Sequence, residues 1–179
     1  MTQVANVYAQ ALYDLTAEER CAEAVAGQLA VLAESFRAEP DFVKLLSAPN
    51  LSKEERCTIA DDSFRGKVHP YVLNFIKILT EKGYMRHFDD CCKAFRQIYN
   101  REHGILEVCA VTAVPLDPAQ TEKLTQKLAA VTGKTIDLVN RVDPGCLGGM
   151  RLDYDGKRVD DTVAHRLASV GALLKNTVL

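Results

Sequence analysis

Apolar residues in the first hundred positions recur at helical spacing. Val4, Val7, Tyr8, Ala11, Leu12 and Leu15 fall three and four apart, which places them on one face of a first helix. Val25, Leu29, Leu32, Ala33 and Phe36 repeat the pattern on a second. Pro40 breaks the chain, and Asp41 is then placed to cap a short helix carrying Phe42, Leu45 and Leu46. In SAPNLSKEER, Ser52 and Glu55 have the spacing at which each side chain satisfies the other's free backbone N–H, and a helix to about Phe64 follows. Pro70 suits the first turn of a fifth helix. Its YVLNFIKILT is apolar nearly all round, as a central helix would be, and Gly83 is placed to end it. A sixth helix carries Met85, Phe88, Cys92, Phe95 and Tyr99 and runs out near His103–Gly104.

At Gly104 the texture changes. ILEVCAVTAV is rich in β-branched residues and short enough for a strand. DPAQTEKLTQKLAAVTG reads as a helix with Asp117 as N-cap, Pro118 at its first position, Leu124, Leu128 and Val131 as its buried stripe, and Gly133 at its end. TIDLVNRV is a second strand. In GMRLDYDGKRV, Met150, Leu152 and Tyr154 alternate with polar residues, and Asp155-Gly156 is a strong two-residue hairpin turn. A last helix starts near Asp161–Thr162 and carries Val163, Leu167, Val170 and Leu174. The predicted fold is therefore α+β and mostly α: a six-helix bundle over residues 1–104, then a small β-α-β-β-α domain over 105–179.

Composition narrows the function. The chain has 179 residues, 47% hydrophobic and 26% charged, which is ordinary for a globular protein. Its net charge is −2. Up to Gly104 there are 13 basic against 15 acidic residues, and beyond it 9 against 9, with no basic run. A nucleic-acid partner needs a basic patch or stripe, so this balance argues against one. The start has no basic segment leading into an apolar one, so no signal peptide is read there. The most apolar run, YVLNFIKILT, is short and interrupted by Asn74 and Lys77, so membrane association is expected only through other proteins. The six cysteines form no Cys-x-x-Cys and read as reduced thiols, several of them packed as small hydrophobes.

Candidate chemistry is thin. The glycine-rich stretch DPGCLGGMRLDYDGKRVDD, Asp143 to Asp161, invites a phosphate-binding reading. A phosphate-cradling loop before Gly156-Lys157 needs a glycine where Arg151 stands and a hydroxyl where Arg158 stands. The G-x-x-G-G order also misses the dinucleotide fingerprint and leads into a strand instead of a helix. The stretch reads as a turn, a close backbone contact at Gly148-Gly149, and a hairpin. His87 and Cys91 share a helical face, with Cys92 adjacent, but no third ligand accompanies them; Cys92 is expected in the core and Cys91 partly exposed. Asp160-Asp161 read as helix-capping residues, and His165 as part of a solvated face. No catalytic constellation, cofactor site or metal site emerges. A small-residue seam on the first helix, Ala5, Ala9 and Ala11, suggests a place where a partner helix could lie close.

These stretches together resemble one family. VYAQALYDL is similar to its opening Y-A-x-A-L pattern, and VLNFIKILTEKGYMRHF to its NFL-x-L-L-x-E-N-G-R helix and cap. EHGILEVCAVTAVPLDPAQ through VDPGCLGGMRLDYDGKRVDDTVAHRL resembles its C-terminal signature, which here includes Gly148, Gly149, Asp155, Gly156 and Asp160. The family is the delta subunit of F-type ATP synthase, the oligomycin-sensitivity-conferring protein of mitochondria. The chain departs from it mildly, with Leu147 where isoleucine is common and Lys82 before Gly83 where asparagine is usual. The resemblance implies a non-catalytic stator subunit, with a bacterial source expected. Its N-terminal bundle would receive the N-terminal helix of an alpha subunit in a groove between the first and fifth helices, through Tyr8, Ala11, Leu12, Asn74 and Ile78. Its C-terminal domain would meet the C-terminal end of the stalk b subunit. The same resemblance implies one copy per complex, a monomer in isolation, and a position at the cytoplasmic face of the cell membrane. The alternative weighed is an RNA-binding, antitermination-type helical bundle, which the near-neutral charge disfavours.

Overall fold

Local signals set most helix ends. The Glu55 N–H donates to Ser52 Oγ at 3.1 Å and the Ser52 N–H to Glu55 Oε2 at 2.8 Å, closing the reciprocal cap. Gly83 adopts the left-handed conformation that ends the fifth helix. A computed structural model of the chain describes residues 3–48 and 51–169. Its two compact units are Met1–Tyr99 and Asn100–Leu179, whereas the sequence pattern put the change at Gly104.

The first unit contains α1 (Gln3–Glu18), α2 (Ala22–Ala38), α3 (Pro40–Leu46), α4 (Lys53–Phe64), α5 (Pro70–Lys82), a 3₁₀ turn (Met85–His87) and most of α6 (Phe88–Glu102). Met85 thus precedes the sixth helix instead of riding on it. Asp41 does not cap α3 either. Pro40 occupies the first helical position and Glu39 the cap, without a side-chain bond, while Asp41 pairs with Lys44 at 2.7 Å. One core joins these helices, and Phe36 is its meeting point. Its ring stacks on Phe42 of α3 (5.8 Å between centroids) and meets Phe64 of α4 and Phe88 of α6 edge-on at 5.9 and 4.8 Å. Asp61 of α4 is buried and held by Lys77 of α5 at 2.7 Å and by Arg65, so the α4–α5 contact carries a satisfied charge.

The second unit contains β1 (Ile105–Thr112), α7 (Pro118–Thr132), β2 (Thr135–Val142), a 3₁₀ turn (Pro144–Cys146), β3 (Met150–Tyr154) and β4 (Lys157–Asp160), then helical residues 163–169. The sheet order is β2-β1-β3-β4, with β1 parallel to β2 and antiparallel to β3, and β3 antiparallel to β4. The chain is therefore α+β and mostly helical, with a mixed sheet of one more strand than the β-α-β-β-α reading gives. The added strand, KRVD, is the second arm of the hairpin that Asp155-Gly156 turns. Asp117 and Gln120 cap α7 reciprocally, at 2.6 and 3.1 Å. Its stripe is shallower than expected: Leu124 and Leu128 are half-buried, and Val131 is 86% exposed. Val163 and Leu167 are exposed on the last described helix, and Val170 and Leu174 lie outside the described residues.

Two glycines of the stretch from Asp143 to Asp161 do different work. Gly156 follows Asp155 in the hairpin turn, both at positive φ, with open space where a Cβ would stand. Gly149 also has positive φ, but a Cβ there would lie 2.5 Å from the carbonyl oxygen of Asp161. The backbone of the β3 entry crosses the start of the last helix at that point, and only glycine allows it. Gly149→Ala should therefore destabilise the protein by about 2–4 kcal/mol, and Gly156→Ala by only about 1 kcal/mol. Urea unfolding of the two variants checks the ranking, and equal losses would refute the crossing as the cause.

Candidate partner-binding surface

A helix that is apolar over more than half its circumference can bury only part of that surface. On α1 the core takes Ala5, Ala9, Leu12, Tyr13 and Thr16. Ala5 and Ala9 are 0% exposed. Their four-residue spacing stacks them on one side, and their small size lets neighbouring helices lie close. The expected seam therefore divides: Ala5 and Ala9 face inward, and Ala11, about 200° round the helix from Ala9, faces solvent. The expected core face divides as well. Val7 is 64% and Leu15 42% exposed, whereas Leu12, at 6%, belongs to the core. The larger aliphatic residues are left outside because the small ones give the tighter helix contact.

The helix beside α1 shows the same arrangement. α5 buries Val72, Phe75, Ile76, Leu79 and Thr80. Asn74 is exposed, Ile78 is 43% exposed, and Tyr71 is half-buried. Two contacts orient the pair. Tyr8 of α1 meets Tyr84, just past the Gly83 cap, with ring centroids 6.1 Å apart and nearly edge-on. At the other end, the Tyr71 hydroxyl has a raised pKa, from desolvation first and then from the negative charges of Glu19, Cys21 and Glu18. The start of α5 therefore lies by the end of α1, and the two helices run antiparallel. Val7, Ala11 and Leu15 are exposed on α1 and Asn74 and Ile78 on α5, and the Tyr8–Tyr84 pair joins the two helices at one end. Of the residues that the resemblance implies for the groove, Ala11, Asn74 and Ile78 are exposed, Tyr8 is half-buried and Leu12 is buried. Val7 and Leu15 are exposed as well. Their sequence signal was a second apolar stripe beside the alanine stripe, which the single-face reading merged into one.

The remaining candidates carry no chemistry. Cys91 is buried beside Cys92 and not partly exposed, because the turn at Met85–His87 brings the start of α6 into the core. Burial first, and then the Asp90 charge, pushes the Cys91 thiol up to about 11; burial also raises Cys92. Such thiols are poor nucleophiles and poor metal ligands at neutral pH. No group of three or more His, Cys, Asp or Glu that could hold a metal occurs among the described residues. In the second unit, Asp160 Oδ1 accepts from the Thr162 hydroxyl at 2.7 Å and its N–H at 3.0 Å, and Thr162 Oγ1 accepts from the His165 N–H. The acidic pair therefore serves the start of the last helix, with Asp161 paired to Arg166.

Comparison with known proteins follows this geometry. The family model for the ATP synthase delta (OSCP) subunit matches residues 4–174. The chain is 32% identical to the ATP synthase subunit delta of Alkaliphilus oremlandii over 167 residues, 93% of each chain. It is 27% identical to that of Clostridioides difficile over 176 residues, covering 98% of this chain and 97% of the relative. Its fold is similar to a chain of the Toxoplasma gondii mitochondrial ATP synthase hexamer, with a TM-score of 0.76 at 20% identity, covering 97% and 98% of the two chains.

Two outcomes follow from the side chains described. In the native protein, Cys21, Cys57 and Cys109 should react with a thiol reagent at pH 8 well before Cys91 and Cys92, which should wait for unfolding; early labelling of Cys91 would contradict its burial. The Thr162 hydrogen bonds hold the Asp160 carboxyl below its ordinary value near 4. A carboxyl depressed on folding stabilises above its unfolded pKa and loses that contribution as pH falls through the folded one. The melting temperature should therefore hold from pH 7 to 5 and drop below pH 4, less steeply in Asp160→Asn; parallel profiles would exclude the cap as a contributor.

Proposed function

The chain belongs to the ATP synthase delta (OSCP) subunit family, and from that premise we propose that it is a stator subunit linking the catalytic head of an F-type ATP synthase to the peripheral stalk. Subunits of this family are structural and not catalytic. The helical first unit, read as a six-helix bundle, binds the N-terminal helix of an alpha subunit. The second unit holds the C-terminal end of the b subunit. Fixing the head against the rotor lets rotor torque drive ATP synthesis. No helix among the described residues is long and apolar enough to cross a membrane, so the contact with the membrane runs through the rest of the complex.

The observation that carries this reading is the paired apolar stripe of α1 and α5. Exposed aliphatic residues set side by side on antiparallel helices offer a shallow trough, and an amphipathic helix laid in such a trough buries apolar surface on both sides. Asn74 adds a donor and an acceptor among the aliphatic residues and can fix the register of the bound helix. Covering the exposed parts of Val7, Leu15 and Ile78 is worth about 2–4 kcal/mol.

Titration of the full chain with a peptide of the cognate alpha-subunit N-terminus should show saturable binding. Ala11→Asp and Leu15→Asp should each weaken it by about 2 kcal/mol or more, because an unpaired carboxylate is then buried. Val31→Asp, on the exposed side of α2, should leave it unchanged. Unchanged affinity in both α1 variants would refute the trough.

A further inference from the structure

The pair formed by α1 and α5 carries opposite charges at its two ends. Eleven residues of α-helix make three turns and about 20°, so residues eleven apart stand nearly in line, about 16 Å from each other. Lys82 comes eleven residues after Tyr71 on α5. Glu19 comes eleven after Tyr8 on α1, where its N–H still donates to the Leu15 carbonyl at 3.3 Å. Both tyrosines reach toward the other helix. Tyr8 meets Tyr84, and Tyr71 lies in the field of Glu19 and Glu18. Lys82 and Ile78 therefore share the flank of α5 that carries Tyr71, and Glu19 and Leu15 the flank of α1 that carries Tyr8. Since the helices run antiparallel, Glu19 stands at the Tyr71 end and Lys82 at the Tyr8–Tyr84 end.

Glu19 and Lys82 are both exposed. Glu18 adds to the negative end, and Arg86, two residues past Tyr84, to the positive one. Glu81 lies about 100° round α5 from Lys82, away from that flank. Arg20 follows Glu19 in a left-handed turn and forms no ion pair with it among the described residues, and Lys82 forms none there either. Exposed Leu15 and Ile78 belong to the same two flanks, between these charges.

Resting on the reading of this surface as the alpha-subunit site, we propose that Glu19 and Lys82 choose its occupant and its direction. The occupant is an amphipathic helix whose apolar face is bounded by a cation at one end and an anion about three turns away. The cation meets Glu19 and the anion meets Lys82. Apolar contact alone does not distinguish a helix from its reverse, or from one slid along by a turn. A reversed helix here sets like charges together at both ends, and a slide of one turn carries each charge about 5 Å from its partner. Charges at the margin of an interface act chiefly on the rate of encounter and on the rejection of wrong partners.

Binding kinetics of the cognate alpha-subunit N-terminal peptide with the full chain test this. Association should slow about threefold or more as ionic strength rises from about 0.05 to 0.5 M, because screening shortens the reach of both charges. Glu19→Lys and Lys82→Glu should each slow it about threefold at low salt and flatten the salt dependence. The double variant should bind faster to a peptide whose cation and anion are exchanged than to the natural one. Cys21, two residues past Glu19 and half-buried, reports direction in the unaltered protein. A bromoacetyl group on the cation-bearing end of the peptide should alkylate Cys21, and one on the anion-bearing end should not. Equal alkylation from both ends, unchanged rates in both single variants, or no preference of the double variant for the exchanged peptide would overturn the proposal, even where saturable binding upholds the surface. Absence of any binding to the unaltered protein would remove the surface and the charge selection together.

Discussion

Close packing through Ala5 and Ala9 is the contact on which the first unit's surface depends. With a methyl group as the only side chain, each lets α1 sit near its neighbours, and both are fully excluded from water. That choice of inner face settles what is left outside. An α-helix offers about 100° per residue, so a face centred on positions 5, 9, 12 and 16 turns positions 7, 11 and 15 outward. Larger residues on the inner face would push α1 away and bury Val7 or Leu15 in exchange. The aliphatic side chains left exposed on α1, Val7 and Leu15, are the counterpart of that tight inner contact.

The second unit rests on a different constraint. After β2 the chain must turn, enter β3 and still leave room for the start of the last helix. Gly149 resolves this by bringing its backbone to a distance from Asp161 that no side chain permits. Asp160 and Thr162 then cap the helix that the crossing has placed, and Asp153 holds Arg151 on its own strand at 3.2 Å and Arg158 across the hairpin at 2.7 Å. The charged residues of this stretch are consumed in positioning backbone. That is the physical content of a motif which, on composition, resembles a phosphate loop.

Where sequence reasoning succeeded, the signal was local. Caps at Ser52, Asp117, Gly83 and Gly133 and the turn at Asp155-Gly156 depend on a few adjacent residues, and the structure has each of them. Where it failed, the deciding contact was distant. Asp41 is an exception, since Pro40 at the first helical position is a local signal of the kind that placed Pro70 and Pro118. Nothing within α1 shows whether its alanine side or its valine and leucine side meets the core. Val131 follows the stripe of α7, yet it is 86% exposed. Of the residues that the resemblance named, Ala11, Asn74 and Ile78 are exposed and Leu12 is in the core, while the exposure of Val7 and Leu15 required knowing which side of α1 the core takes.

The size of the proposed trough bears on how such a subunit would hold on. Burying the exposed parts of three aliphatic side chains yields a few kcal/mol, while micromolar binding requires about 8 kcal/mol. The tyrosine pair at one end and the bound helix's own side chains must supply part of the difference, and a single contact of this kind would still exchange readily. A stator cannot release under torque. Two modest contacts carried by one chain solve this, because engaging one surface holds the other at high effective concentration, and both must open together for release. A chain folded as two compact units has room for two such surfaces. It can be assembled reversibly, one surface at a time, and still resist rotation once both surfaces are held.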